Sequence, residues 1–207
     1  MNVLFVCTGN TCRSPMAEQL LRQKGPGHIQ VQSAGIYAMK GQSAHPNAVN
    51  ALADRGVACE HSSRPLDRDL TDWADYILTM TEGHKMQVLQ TFPTAQNKVF
   101  TLKEFVNAET ASAGNWEDLQ KAIAEYETKR AEWLHVCQNP DLSADERQKK
   151  EQQMHEDLQV NLDDIHTLEN AQPSLDISDP FGASEDVYSK VCSEIEALID
   201  QLSSKLR

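Results

Sequence analysis

The string Cys7-Thr8-Gly9-Asn10-Thr11-Cys12-Arg13-Ser14-Pro15 constrains this chain more than any other stretch. It follows the apolar run Val3-Leu4-Phe5-Val6 and precedes a helical pattern over Met16 to Arg22. That order predicts a strand, a tight loop and a helix start. Such a loop turns its backbone N–H groups inward as an anion nest, and the helix dipole adds partial positive charge. Cys7 opens the loop, where that field favours the thiolate, the nucleophilic form. Arg13 can grip two phosphoryl oxygens as a planar fork, which a lysine cannot copy. Gly9 is read as the residue that tolerates unusual dihedrals, and Asn10 as a second position for left-handed backbone whose amide bonds its neighbours. The Ser14 hydroxyl is placed to donate to the thiolate or to cap the helix, and Pro15 fits the first helical turn. The stretch thus reads as a nucleophile set in a phosphate cradle.

Around it the pattern alternates. Strands are expected at Asn2 to Val6, Ile29 to Ser33, Tyr76 to Leu78 and Lys98 to Phe100. Helices are expected from about Pro15 to Lys24, from Pro46 to Gly56, from Asp67 to Trp73, over Glu82 to Thr91, and from Ser184 to Leu206. The last carries Val187, Val191, Ile195, Leu198 and Leu202 at helical spacing. Strands alternating with helices indicate an α/β fold, a parallel sheet covered on both faces, whose ligand sits at the carboxyl ends of the strands. The Cys7 loop leaves the carboxyl end of the first strand.

The chain has 207 residues, enough for one good core plus an appendage. Its net charge of −12 argues against nucleic acid or an anionic membrane as partner. No apolar run is long enough to span a bilayer, and the short N-terminal run, lacking a basic leader, reads as a strand rather than a signal peptide. Five cysteines without disulfide-scaffold spacing point to a reducing cytoplasm. There is no Cys-x-x-Cys pair and no metal-ligand cluster, so neither metal nor cofactor is expected.

Phosphoryl transfer also needs a proton donor for the leaving group, later a base for water. The best candidate is Asp179, in Asp179-Pro180-Phe181-Gly182 before the last helix. Asp-Pro by itself reads as a turn; in a chain that also carries the Cys7 loop, it becomes a candidate acid.

The loop string resembles the signature loop of the low-molecular-weight protein tyrosine phosphatases, and is most similar to that of their bacterial protein-arginine-phosphatase branch. The resemblance covers roughly residues 1–105 and 173–207 and implies a four-stranded parallel sheet flanked by helices on both faces. It implies Cys7 as nucleophile, Arg13 as phosphate clamp, Ser14 as thiolate partner and Asp179 as general acid. Thr8, Gly9, Asn10, Thr11, Cys12 and Phe181 would line the substrate site. In the arginine branch a threonine occupies the position of Thr11, where tyrosine phosphatases commonly carry a larger aliphatic residue. Tyrosine phosphatases of the family usually have Asp-Pro-Tyr; here Phe181 is followed by Gly182, leaving one aromatic wall on which a guanidinium can stack while Asp179 faces its charge. The expectation is a cysteine-dependent phosphatase acting on phosphoarginine in proteins, without metal. A tyrosine phosphatase of the same fold is the alternative. Arsenate reduction is disfavoured by the lack of cysteine over residues 80–105, and a phospho-binding adaptor by the intact Cys7, Arg13 and Asp179.

Other polar residues carry a blander reading. Cys12 is either a small loop filler or a partner that traps oxidised Cys7 as a disulfide. His45 and His84 fall near the expected site face and are read as structural or solvated. Cys59, Cys137 and Cys192 are read as packing residues, and Trp73 as core.

Residues 107–172 stand apart as an acidic insertion between phosphatase segments 1–106 and 173–207. They carry 15 acidic and 6 basic residues, net −9. A helical hairpin is expected: a first helix from Trp116 to Cys137 capped by Asn115 and ended by Asn139-Pro140, then a second after the Ser143-x-x-Glu146 capping box. Trp116, Leu119, Ile123, Tyr126, Trp133 and Cys137 make the first apolar stripe; Met154, Leu158, Leu162, Ile165 and Leu168 make the second. The hairpin reads as a solvated spacer, or as a surface for a basic partner or a second copy.

Overall fold

The computed structural model describes residues 1–111, 116–139, 142–170 and 174–207; of 108–111, 116–117 and 170 it describes the backbone alone. The cap expected at Asn115, the side chain of Trp116 and the stop at Pro140 lie outside the described residues.

Four strands, β1 (Asn2–Cys7), β2 (Gln30–Gly35), β3 (Tyr76–Thr79) and β4 (Val99–Thr101), form one parallel sheet in the order β2-β1-β3-β4. β1 is central, and its residues divide by parity between two cores, as alternating strand side chains must. Val3, Phe5 and Cys7 join a cluster built with helix α1 (Arg13–Lys24) and the last helix, α8 (Glu185–Lys205), through Met16, Leu20, Tyr188 and Ile195. Leu4 and Val6 face the other way, onto Leu70 of α3 (Arg68–Trp73) and Val88 of α4 (Glu82–Thr91). Trp73 is half-buried at the edge of this second cluster. The remaining helix near the site, α2 (Pro46–Ala53), buries Ala48, Ala51 and Leu52.

Three local departures have physical causes. The fourth strand sits one residue later than expected, because Pro93–Lys98 winds into a 3-10 turn, and a helix absent from the expectation, α5 (Leu102–Ala111), follows it. On α8, Val187 is 36% exposed and Tyr188 is fully buried, so the inward face begins with the aromatic residue. β2 runs past the expected Ser33 to Gly35, where a Cβ would stand 2.7 Å from the Thr8 carbonyl oxygen and 2.8 Å from the Asn10 nitrogen. Glycine at this position lets the strand end and the Cys7 loop approach backbone to backbone.

The chain divides into two compact units, Met1–Ala108 with Leu175–Arg207, and Glu109–Ser174. The second unit pairs α6 (Trp116–Cys137) with α7 (Ala144–Asn170) in antiparallel sense. Trp133 donates to Asp157, Lys129 to Asn161, and Arg147 to the Cys137 carbonyl. Leu119, Cys137, Leu158 and Ile165 form its buried seam. Ile123, expected on the seam, is 41% exposed. The capping box is present: the Ser143 N–H and hydroxyl both donate to Glu146, and these bonds hold its carboxyl below the usual range.

Candidate active site

The loop between β1 and α1 is held by its carbonyls. Those of Cys7 and Thr8 accept from Ile36 and Tyr37 N–H, beyond β2. The Asn10 carbonyl meets His61 Nε2 at 2.7 Å, and those of Thr11 and Cys12 accept from His45 and Met16 N–H. In a trans peptide the N–H points opposite to the C=O. Five outward carbonyls therefore turn the following N–H groups toward the loop's interior, which makes the anion nest that the spacing predicted.

Asn10 is the residue with positive φ, 54°, and not Gly9, at which an added Cβ would touch only Thr11 Oγ1, at 3.6 Å. Left-handed backbone is tolerable for asparagine when the side chain is engaged. Asn10 is fully buried and its amide is fully used. Oδ1 accepts from Arg64 N–H at 3.0 Å, while Nδ2 donates to Ser14 Oγ and Ser33 Oγ at 3.0 and 2.8 Å. Ser33 in turn donates to buried Glu18 at 2.5 Å. Ser14 caps nothing: it lies inside α1, 3.0 Å from Cys7 Sγ. Because Asn10 donates to it, its own proton goes either to the sulfur or to the Ala34 carbonyl, which is farther away at 3.4 Å.

Arg13 is 3% exposed. Nη1 donates to the Ile177 carbonyl at 3.1 Å, and Nη2 to Thr8 Oγ1 at 3.3 Å and to Asp179 Oδ2 at 2.5 Å. Nε is buried without a partner among the described residues, a donor left for a ligand to satisfy. Asp179 is thus brought to the loop from the far end of the chain; its other oxygen accepts the Phe181 N–H.

These groups border a cleft of about 730 Å³. Thr11, Cys12, Phe181 and His45 are among the residues that line it. Phe181 is 71% exposed and stands edge-on to His45, whose ring stacks on Tyr188 at 4.8 Å. Tyr188 also meets Cys12 Sγ at 3.3 Å, and burial pushes both the phenol and the Cys12 thiol up.

Two histidines set aside in the sequence prove to be engaged. His45 Nδ1 caps α2 by accepting from Asn47 N–H, and its ring faces the cleft. His84 is buried with both ring nitrogens bonded, one to Thr81 and one to Thr8. Burial, and next the Arg13 charge, lower its pKa to about 4, so it is neutral near pH 7. The local signal was Thr81, an N-cap residue three positions before His84; nothing local tied either histidine to the loop.

A thiol at the carboxyl end of a central parallel strand, an amide-lined loop opening a helix, and a buried arginine meeting an aspartate define a cysteine-based phosphatase. Comparison with known proteins agrees. The family model for low molecular weight phosphotyrosine protein phosphatases matches residues 2–140, and the chain belongs to that family. A protein-arginine-phosphatase of Geobacillus stearothermophilus is 32% identical over 205 residues, 99% of this chain and 95% of that protein. A solved mutant of YwlE arginine phosphatase, with a phosphorylated active-site serine, matches with a TM-score of 0.67 and 30% identity, over 100% of this chain and 95% of that one. A low molecular weight protein-tyrosine-phosphatase of Staphylococcus aureus is 43% identical, but over 108 residues, 51% of this chain and 74% of its own. The four-stranded parallel sheet expected from the resemblance is the fold observed.

Proposed function

We propose that this protein hydrolyses phosphoarginine in proteins, with Cys7 as nucleophile, Arg13 as phosphate clamp and Asp179 as the group that moves the proton. The observation that carries the substrate class is end-to-end likeness in sequence: the Geobacillus arginine phosphatase match spans 99% of the chain, the Staphylococcus tyrosine phosphatase match 51%. Thr11, which lines the cleft, supports it, since it puts a smaller, polar side chain where tyrosine phosphatases commonly place a larger aliphatic one. Phe181 offers a flat face to a guanidinium.

The reaction runs in two displacements. Phosphoryl oxygens enter the loop, bond the inward N–H groups and Arg13 Nε, and compete with Asp179 for Nη2. The Cys7 thiolate, held by Ser14, attacks phosphorus; the S–P bond forms as the P–N bond breaks, and the Asp179 carboxyl gives its proton to the leaving nitrogen. Water then attacks the cysteinyl-phosphate, Asp179 takes its proton, and inorganic phosphate leaves as the thiolate is restored. The loop's donors act on charge spread over the equatorial oxygens, so positioning and electrostatics supply most of the rate.

The test is a substrate panel on the purified protein, with Cys7→Ser as control. Turnover of phosphoarginine peptides over phosphotyrosine peptides supports the proposal; the reverse preference replaces it with the tyrosine phosphatase reading, which the 43% local identity favours.

Residues 107–172 we assign as an inserted unit whose net charge of −9 suits a basic partner or a second copy. Light scattering of the full chain, with and without polylysine, tests both. All five cysteines are free thiols, which fits a cytoplasmic setting; fractionation of the source cells would check it. Among the described residues no helix is long and apolar enough to cross a membrane. Sharing one loop, Cys7 and Cys12 suit a redox pair, in which peroxide makes a Cys7 sulfenic acid and the Cys12 thiol displaces water to close a disulfide. Non-reducing mass spectrometry after peroxide treatment detects that bridge or refutes it.

A further inference from the structure

His84 does not line the cleft, yet it sits behind the hydroxyl that touches Arg13. Its Nε2 is 2.9 Å from Thr8 Oγ1, and its Nδ1 is 2.8 Å from Thr81 Oγ1. Thr8 Oγ1 also lies 3.3 Å from Arg13 Nη2. Thr81, the N-cap of α4, accepts the His84 backbone N–H at 3.1 Å. Thr81, His84, Thr8, Arg13 and Asp179 are therefore one continuous chain of polar contacts.

The direction of that chain follows from its arginine end. A guanidinium only donates, so Thr8 Oγ1 accepts from Arg13. That leaves the Thr8 hydroxyl proton for His84 Nε2, and in the arrangement that uses it Nε2 is bare and accepts. A neutral imidazole carries one proton, so it rests on Nδ1 and is donated to Thr81 Oγ1. The neutral state itself is secured by burial and by the Arg13 charge. Every bond in the chain then points its donor away from the arginine.

We propose that His84 is a positioning residue for the phosphatase reaction: as the Nδ1–H tautomer it orients the Thr8 hydroxyl, which holds the Arg13 guanidinium for the phosphoryl group. The role rests on the phosphatase reading given above. It adds a residue that the loop string does not contain. Thr8 keeps Nη2 directed across the loop when Asp179 swings toward the leaving group, and Ile177 holds Nη1. An arginine steadied from both sides meets the developing equatorial charge without reorganising, so the effect belongs in kcat more than in KM.

Two measurements test it. In the wild-type protein, long-range 1H–15N spectra should show His84 neutral and protonated at Nδ1 from pH 7 to pH 5; a proton at Nε2 overturns the proposal. In kinetics, His84→Leu and Thr8→Val should each lower kcat roughly tenfold with KM changed less than about threefold. The double variant should be no slower than the worse single one, and His84→Gln, whose amide can reach the Thr8 hydroxyl, should recover part of the rate. Unchanged kcat in the single variants, or multiplied losses in the double, overturns it. Should the wild-type protein turn over no substrate, the phosphatase reading fails while the tautomer measurement still decides the orientation of the chain.

Discussion

Arg13 Nη2 and Asp179 Oδ2 stand 2.5 Å apart, an ion pair between residues 166 positions distant in sequence. The pair is asymmetric: the Arg13 side chain is 4% exposed and the Asp179 side chain 47%. The arginine is fixed by Ile177 and Thr8, whereas the half-exposed aspartate has, besides the arginine, one bond from the Phe181 N–H, at 3.2 Å.

That asymmetry separates catalysis from stability. Asp179→Asn should lower kcat by about 10²–10⁴ through loss of proton transfer. Its stability should change by less than about 1 kcal/mol, because solvent screens a half-exposed ion pair. Arg13→Lys should not rescue activity, since an ammonium cannot present the fork. Steady-state kinetics with urea unfolding reads both; a strongly destabilised but active Asp179→Asn would contradict the assignment.

Gly35→Ala should damage the loop from outside it. The new methyl meets the Thr8 carbonyl, the Asn10 nitrogen and the Ala38 methyl all within 3.0 Å. Two of these are backbone, so the loop must shift, at about 1–3 kcal/mol for overpacking. Activity should fall further than that stability loss explains, because the moved peptides carry the inward N–H groups. Retention of full kcat would show that the contact is dispensable.

Thr11→Ile should move preference toward phosphotyrosine. The exchange removes a hydroxyl from the cleft lining and adds apolar bulk. Selectivity, taken as the ratio of kcat/KM for phosphoarginine to phosphotyrosine peptides, should drop by about tenfold or more. An unaltered ratio would take Thr11 out of the specificity argument.

His84 predicts a pH dependence of folding. Its pKa is 6.5 in the unfolded chain and about 4 in the fold. Between these values the unfolded state binds more protons, so stability falls as pH drops from about 6.5 to 4. The full shift corresponds to about 3 kcal/mol. Denaturant titrations at pH 7 and 4.5 should show the loss, and His84→Gln should flatten it. An equally steep profile in the variant would assign the slope to other groups.

Excision of Glu109–Ser174, bridged by a short glycine-serine linker, should leave a folded phosphatase unit, because the core around β1, α1 and α8 lies in the other unit. Turnover of a small phosphoarginine substrate should stay within roughly threefold of the full chain. Loss of folding on excision would mean that the two units are not separable.

Much of this protein can be read along the chain. The Cys7 loop is legible because its parts are neighbours: an apolar strand, a compact polar turn and a helix start within some twenty residues. The parallel sheet follows from alternating strand and helix patterns, and the Ser143–Glu146 box announces α7. Asp179 is visible only as an Asp-Pro whose meaning depends on the loop. Where sequence reading erred or left two candidates, as with Gly9 and Asn10, a side chain's role was set by what lies beside it. The left-handed position falls to Asn10 because Arg64, Ser14 and Ser33 absorb its amide. Gly35 is a clearance, and Tyr188 displaces Val187 from the inward face because its ring stacks on His45.

The sequence by itself determined the elements and the reactive loop, since local sterics and burial periodicity act between residues close in the chain. Only the tertiary structure decided which distant groups meet that loop: Asp179 on Arg13, His84 behind Thr8, Gly35 against its backbone. Those contacts exist because the sheet and its crossovers bring remote segments together at one edge, a convergence that no short-range pattern encodes.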